Sequence, residues 1–184
     1  DSGKIYLNGK DITDLGVTER AKSGVSYAFQ TPVRFKGITV SDILKIAAGR
    51  NLSVAESCEF LSSVGLCARD YLDREINNSL SGGELKRIEI ATVLARKTPF
   101  AVFDEPEAGI DLWSFNSLIK VFENMRDAVH GSIVIISHQE RILNIADRII
   151  VISDGTVKKT GTREEILPSL FSGEKLCDAL KDKV

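Results

Sequence analysis

The 184-residue sequence is poor in several residue types, and each shortage excludes a class of protein. No apolar run approaches the roughly 20 residues that a membrane-spanning helix needs, which predicts a protein without such a helix. The 24 Lys and Arg residues nearly balance 26 Asp and Glu residues, giving a net charge of −2. With no broad positive field, the chain is predicted to have no nucleic-acid partner.

Cysteine, histidine and methionine are also scarce. The three cysteines, Cys58, Cys67 and Cys177, form no CxxC pair, and the two histidines do not lie at metal-ligand spacing from them. We therefore expect no metal or iron–sulfur site built by this chain alone. An odd, low cysteine count without a signal segment favours the cytoplasm. The only methionine is Met125, so we expect the sequence to begin inside a longer chain.

The first half combines short strands with a long helical stretch. Asn8-Gly9 predicts a hairpin turn after a strand at residues 4–8, and a second strand is predicted at Gly24–Phe29. Apolar residues then follow helical spacing from Thr39 to about Leu66, and again from Ser81 to about Lys97. This half is predicted to supply part of a sheet and a helical insertion.

The second half alternates strands with helices. Two continuous apolar strands separated by a helix favour a parallel sheet that is buried on both faces. A hairpin and a helical tail, interrupted at Pro168, are predicted to follow. The predicted elements are a strand at 100–103, a helix at 112–129, a strand at 132–137, a helix at 139–146, a strand at 149–153 and a hairpin strand at 156–159.

A serine–glycine–glycine stretch opens the helix that follows residue 80. Ser81 and Glu84 have the spacing of a capping box, which by itself explains a helix start. Gly82 and Gly83 are not explained in that way, because glycine in a first turn costs roughly 0.5–1 kcal/mol relative to alanine. A ligand that approaches the backbone closely explains them, and bare N–H groups at a helix start suit phosphate.

An acidic pair, Asp104-Glu105, follows the apolar run Phe100–Phe103. Open α/β sheets bind ligands at the carboxyl ends of their strands, where this pair is predicted to lie. Asp104 would hold magnesium through its bound water, and Glu105 would polarise a water that attacks a γ-phosphate. The alternative is an ordinary polar strand end that enters a turn.

Five short motifs together resemble the ABC-type ATPases. They occur in that family's order along essentially the whole chain: Gln30 after a strand, Leu80-Ser-Gly-Gly-Glu84, the apolar run ending at Asp104-Glu105, Ala108-Gly-Ile-Asp111, and Ser137-His138. The resemblance implies an α/β fold of the P-loop NTPase type, with a mixed or parallel core sheet and a helical subdomain. It divides the chain into residues 1–36 and 98–184 of the ATP-binding core and residues 37–97 of the helical subdomain.

The resemblance also implies a role for each matching residue. Ser81, Gly82 and Gly83 match the signature motif, which contacts the γ-phosphate of a nucleotide held by a second protomer. Asp111 matches the aspartate that communicates across that dimer.

Gln30 matches the glutamine that senses magnesium and the attacking water, so it is expected to act in catalysis with Glu105 and at the metal with Asp104. His138 matches the switch histidine that contacts the γ-phosphate, although a capping or turn histidine is the alternative. ATP and Mg²⁺ are the implied ligands.

The phosphate-binding GxxxxGK[ST] motif is missing, since Gly3-Lys4 and Gly9-Lys10 are turn glycines without it. In the family this P-loop lies upstream of a segment resembling residues 1–5. We therefore expect the sequence to be truncated at its N-terminus. A chain without the P-loop is expected to be inactive alone, and an interaction module is the alternative function for it.

Three stretches resemble the Suf-type iron–sulfur cluster assembly ATPases. They are Tyr27–Val33, Arg74–Asn77 leading into the signature as far as Arg87, and Ser137–Leu143. This resemblance implies cytosolic Suf-type scaffold proteins as partners. The alternative is the ATP-binding subunit of a membrane transporter, associated with the membrane through a permease, and the helical region could serve either partner.

Overall fold

The computed structural model of the protein describes residues 2–128 and 131–171. Backbone contacts divide the chain into two compact units, Asp1–Ile136 and Ser137–Val184. The division at residues 36/37 and 97/98, which was taken from motif positions, stays a prediction. Of the cysteines and histidines considered above, Cys177 and His130 lie outside the described residues.

Seven strands and eight helices are described, and they alternate along most of the chain. The strands are β1 Tyr6–Leu7, β2 Lys10–Asp11, β3 Val25–Ala28, β4 Phe100–Asp104, β5 Ser132–Ile136, β6 Arg148–Ser153 and β7 Thr156–Thr162. The helices are α1 Val17–Lys22, α2 Val40–Ala48, α3 Val54–Ser63, α4 Ala68–Tyr71, α5 Gly82–Arg96, α6 Leu112–Ala128, α7 Glu140–Leu143 and α8 Arg163–Phe171.

The central sheet of the first unit is parallel, with strand order β3-β4-β5. Ala28 lies opposite Phe103, and Asp104 lies opposite Ile136, so the three strands end at one edge. The predicted α/β class with a parallel sheet is therefore confirmed. The prediction that the apolar strand at 149–153 belongs to that sheet is wrong, because β6 pairs antiparallel with β7 in a separate sheet. Burial on both faces does not extend along β5, because Ile136 is 45% exposed.

Helices cover this sheet and pack on one another. Helix α5 packs against β3, α2 and α3, and it is buried nearly all round. Phe103 of β4 contacts Phe122 of α6 edge to face, with ring centroids 5.0 Å apart. These contacts pack α5 and α6 against the parallel sheet.

The helical stretch predicted from Thr39 to Leu66 is two helices, α2 and α3. Gly49 ends α2 in a left-handed conformation with φ 66°, and Ser53 then caps α3. The periodicity found the apolar faces but did not show this break. Helices α1 and α4 were not predicted, because six and four residues are too few for a periodic pattern.

The second unit contains an antiparallel hairpin, β6 and β7, followed by α8. The predicted hairpin is confirmed, as is the one formed by β1 and β2 around Asn8-Gly9. The predicted interruption at Pro168 is wrong, since this proline lies inside α8. Its ring costs one backbone hydrogen bond in a helix that otherwise continues to Phe171.

None of the helices within residues 2–128 and 131–171 is long and apolar enough to cross a membrane.

Candidate functional site

The carboxyl ends of β3 and β4 bring three of the predicted residues together. Gln30 follows β3, and its Nε2 donates a 2.7 Å hydrogen bond to Oε2 of Glu105, the first residue after β4. Asp104, the last residue of β4, accepts a 3.0 Å hydrogen bond from the hydroxyl of Tyr27. We call Gln30, Asp104 and Glu105 the catalytic corner. Parallel register explains it, because neighbouring strands end at the same edge.

The backbone of Glu105 has a conformation that residues other than glycine rarely adopt. Its φ is +42°, in the left-handed region that favours glycine, and its N–H donates to the carbonyl of Ile136 at the end of β5. Such conformations cost of order 1–3 kcal/mol and persist where the surroundings enforce them. Here the turn directs the Glu105 carboxylate toward Gln30.

A buried lysine on α5 connects the two strand ends. Lys86 is 0% exposed, and its Nζ donates to the carbonyls of Phe29, Gln30 and Asp104, the last two at 3.3 and 3.1 Å. Burial lowers the pKa of Lys86, against the opposing effect of nearby carboxylates, of which Glu89 is the strongest. Lys86 therefore fixes the backbone on both sides of the catalytic corner.

Glu89 completes this arrangement from the next turn of α5. One of its carboxylate oxygens accepts from the N–H of Phe29 at 3.0 Å, and the other lies 3.8 Å from Lys86 Nζ. Burial raises the pKa of Glu89. The sequence analysis missed Tyr27, Lys86 and Glu89. Nothing in the sequence separated Lys86 and Glu89 from the other charged residues of α5, such as Glu84, Arg87 and Arg96.

The signature residues lie at the first turn of α5. Ser81 Oγ accepts from the N–H of Glu84 at 3.2 Å, and Glu84 Oε2 accepts from the N–H of Ser81 at 2.6 Å, so the predicted capping box is confirmed. Glu84 also accepts from the Tyr71 hydroxyl at 2.5 Å and lies 3.4 Å from Arg74. The Tyr71 hydrogen bond is the largest of the effects that lower the pKa of Glu84 to about 2.

The two signature glycines have different surroundings. A Cβ placed on Gly83 would lie 2.7 Å from the carbonyl oxygen of Gly109, so this glycine is required by a contact within the chain. A Cβ placed on Gly82 would meet no atom of the described residues within 4 Å. Close approach of a ligand therefore remains an explanation for Gly82, whereas Gly83 already has a structural one.

The other two predicted residues follow β4 and β5. Asp111 precedes α6 and accepts from the N–H of Ser114 at 3.0 Å and from its hydroxyl at 2.7 Å, which makes it the cap of that helix. His138 belongs to the second unit, two residues after β5 ends at Ile136. Its role at the γ-phosphate, like the roles of the other predicted site residues, stays a prediction.

The donor atoms of the catalytic corner suit a magnesium ion. They are carboxylate and amide oxygens, which this hard cation prefers, and Mg²⁺ is commonly held by one or two carboxylates together with substrate phosphates. Among the residues that the structure describes, no group of three or more His, Cys, Asp or Glu side chains could hold a metal by itself. Asp104, with Gln30 beside it, is the donor set that fits.

Comparison with known proteins gives consistent results. The sequence profile of the family described as ABC transporter matches residues 1–108. An uncharacterized ABC transporter ATP-binding protein of Methanocaldococcus jannaschii is 38% identical over 170 residues, covering 89% of this chain and 68% of that protein. The lipopolysaccharide export system ATP-binding protein LptB of Acidithiobacillus ferridurans is 34% identical, covering 91% of this chain and 70% of LptB.

A solved structure shares the fold. It is the dimeric, post-hydrolysis state of an ATP-binding cassette bound to ADP and Pi, with a TM-score of 0.76 at 21% identity. The match covers 88% of this chain and 74% of that one. From the motifs, the matching family profile and the relatives that are more than 30% identical, we conclude that the chain belongs to the ABC transporter family of ATPases.

Proposed function

We propose that these residues belong to a protein that binds ATP with Mg²⁺ and hydrolyses it at an interface between two copies arranged head to tail. The observation that supports this most strongly is the catalytic corner, where Gln30 and Glu105 are hydrogen-bonded beside Asp104. Glu105 acts as the base that polarises the attacking water. Asp104 and Gln30 hold the magnesium ion, which neutralises charge on the phosphates when it is bound.

The signature turn, which we define as Ser81, Gly82 and Gly83 at the start of α5, supplies the second half of the proposed site. Ser81 and Gly82 are exposed at the start of a 15-residue helix, where N–H groups and the helix dipole attract an anion. In the proposal they contact the γ-phosphate held by the other copy, together with Gly83, while Asp111 communicates across the interface. His138 contacts the γ-phosphate. The solved cassette that shares the fold is dimeric, which supports the pairing.

The direct test is hydrolysis by the Glu105→Gln variant. We expect turnover to fall by at least about 100-fold, the usual contribution of a general base, with the affinity for Mg-ATP retained. Calorimetry measures the affinity, and phosphate release measures turnover. Glu59→Gln, at an exposed position of α3, is the matched control. Continued hydrolysis by Glu105→Gln would remove Glu105 from its role.

The absence of a GxxxxGK[ST] motif from these 184 residues adds a second test. Calorimetry should compare ATP binding by this chain with binding by a chain extended upstream through such a segment. We expect only the extended chain to bind Mg-ATP tightly. Tight binding by the 184 residues alone would show that they contain a complete phosphate anchor. If neither chain binds, a role as an interaction module is favoured.

A partner protein is proposed to dock beside Gln30. An apolar groove of about 510 Å³ lies between the end of β3, the segment after it, α2 and α5. Three of its lining side chains are about half exposed or more, namely Phe29, Val33 and Ile46. Because Phe29 adjoins Gln30, an apolar segment bound in this groove would contact Phe29 and affect the position of Gln30.

Suf-type scaffold proteins are the first candidate partner, since three stretches of the sequence resemble the Suf-type ATPases. The function would then be iron–sulfur cluster assembly in the cytoplasm. A membrane permease is the second candidate, and the relatives that are named as transporter and export-system ATP-binding proteins favour it. In that case the protein would associate with the membrane through the permease.

Affinity purification of the full-length protein separates these candidates. A stable complex with scaffold subunits supports cluster assembly, and recovery of a membrane permease contradicts it. Ile46→Asp should reduce recovery of either partner by placing a charge in the apolar groove. Val54→Asp is the matched control, because Val54 is a similarly exposed β-branched residue on α3, outside the groove.

A further inference from the structure

The loop that precedes α6 passes very close to the signature turn of the same chain. The carbonyl oxygen of Gly109 lies only 2.7 Å from the position that a Cβ on Gly83 would occupy. Gly109 itself has a φ of +75°, a backbone conformation that residues other than glycine rarely adopt. Two glycines thus allow two backbones to touch, and neither can shift far without moving the other.

Arg87, one turn after Gly83 on α5, reinforces this contact. Its Nε donates to the carbonyl of Gly83 at 3.3 Å, and its Nη1 donates to the carbonyl of Gly65 at 3.1 Å and to Ser114 Oγ at 3.3 Å. The planar guanidinium therefore holds three segments at fixed angles: the signature turn, the end of α3 and the start of α6. A lysine, with a single charged nitrogen, cannot reproduce this geometry.

Ser114 carries the connection on to Asp111. Its hydroxyl accepts from Arg87 and donates to Asp111 Oδ2 at 2.7 Å, while its N–H donates to Oδ1 at 3.0 Å. Because the hydroxyl donates and accepts at once, the bonds run in one direction from the guanidinium to the carboxylate. A continuous path of hydrogen bonds thus joins the first turn of α5 to the aspartate before α6.

We propose that Arg87 is a positioning residue that couples the signature turn to Asp111 within one chain. The coupling rests on the proposed function, since it transmits the binding of a nucleotide phosphate at Ser81. A phosphate drawn onto the first turn of α5 moves Gly83, and both Gly109 and Arg87 move with it. Ser114 then resets Asp111, which lies at the other copy in the proposed pair. If Arg87 served stability alone, the binding of a phosphate at Ser81 would not change the position of Asp111.

The first experiment measures ATP hydrolysis by variants of the full-length protein. Arg87→Lys and Ser114→Ala should each lower kcat by roughly 3- to 30-fold, the range found for residues in coupling networks, with the KM for ATP nearly unchanged. Ser114→Thr keeps the hydroxyl and should retain the starting kcat. The double variant Arg87→Lys/Ser114→Ala should lose no more than the worse single variant, because both interrupt the same path.

Arg50→Ala is the matched control for Arg87. The Arg50 guanidinium also donates to a backbone carbonyl and to a polar side chain, those of Asn51 and Glu56, but these bonds join the segment after α2 to α3 and do not involve Asp111. The Arg50→Ala variant should therefore have the same kcat as the starting protein. If Arg87→Lys lowers only the melting temperature, Arg87 has a structural role and the coupling is overturned.

The second experiment uses Trp113, the only tryptophan of the sequence, which lies between Asp111 and Ser114. Any tryptophan outside these 184 residues is replaced by phenylalanine. A non-hydrolysable ATP analogue with Mg²⁺ should change the fluorescence of the starting protein and of Ser114→Thr. The change should be smaller in Arg87→Lys and in Ser114→Ala. This comparison remains decisive if Arg87→Lys fails to fold, since the Ser114 pair suffices.

The outcomes separate the two proposals. If the starting protein neither binds nor hydrolyses ATP, the proposed function fails. A second outcome is that the starting protein binds and hydrolyses ATP while the variants keep its kcat and its fluorescence change. In that case only the coupling through Arg87 fails. A starting protein that hydrolyses ATP without any change in Trp113 fluorescence on binding the analogue also counts against the coupling.

Discussion

The catalytic corner and the signature turn differ in what surrounds their polar groups. Gln30, Asp104 and Glu105 are held by side chains and carbonyls of the same chain, with Lys86 fixing the backbone behind them. Ser81 and Gly82 are exposed, and within the part of the chain that the structure describes no atom lies within 4 Å of a Cβ placed on Gly82. One region is assembled within the chain, whereas the other leaves two of its residues exposed.

The largest expected effect tests the internal support of the catalytic corner. Lys86→Met should lower the free energy of unfolding by about 2–4 kcal/mol, because three carbonyls lose their donor and Glu89 loses its cation in a buried place. Urea denaturation measures the change. Lys120→Met, at an exposed position of α6, should stay within about 0.5 kcal/mol. Equal losses in the two variants would show that the catalytic corner does not depend on Lys86.

A smaller effect concerns the acidic cap of the signature turn. The pKa of Glu84 is lowered from 4.5 to about 2, so its stabilising contribution is fully present above pH 4.5 and is lost as the pH falls toward 2. Glu84→Gln should therefore lower stability by about 2 kcal/mol at neutral pH and by little near pH 2. Unfolding measured across this range gives the curve. A difference that does not change with pH would contradict an ionised Glu84 held by Tyr71 and Arg74.

The smallest effect, expected at Gly82, separates the two signature glycines. Gly83→Ala should lower the free energy of unfolding by about 1–3 kcal/mol, since the added methyl meets the Gly109 carbonyl. Gly82→Ala should leave stability the same or raise it by up to about 1 kcal/mol, yet reduce ATP hydrolysis if a nucleotide approaches Gly82. Thermal unfolding and hydrolysis, measured on both variants, provide the comparison. Full activity in Gly82→Ala would remove the ligand explanation for this glycine.

Short-range patterns predicted the parts of the fold that depend on neighbouring residues. The turn at Asn8-Gly9, the capping box of Ser81 and Glu84, and the apolar strand ending at Asp104 all appear in the structure. Each is determined by interactions among a few consecutive residues. The proximity of Gln30 to Glu105 required the family resemblance as well, because parallel pairing joins segments 75 residues apart.

The features that the sequence did not reveal depend on distant partners. Lys86 looks like a surface lysine until β3 and β4 place three carbonyls around it. The reason for Gly83 lies at Gly109, and the prediction assigned it to a ligand instead. Pro168 was expected to interrupt the helical tail, but a helix can continue past a proline when it loses only one hydrogen bond.

The burial of Lys86 also constrains the order in which the protein folds. Its ammonium cannot leave water until carbonyls from residues 29, 30 and 104 are all in position to accept from it. Docking of α5 must therefore be simultaneous with, or later than, the pairing of β3 and β4. The three elements then form one cooperative unit, and their amide protons should exchange with solvent together rather than element by element.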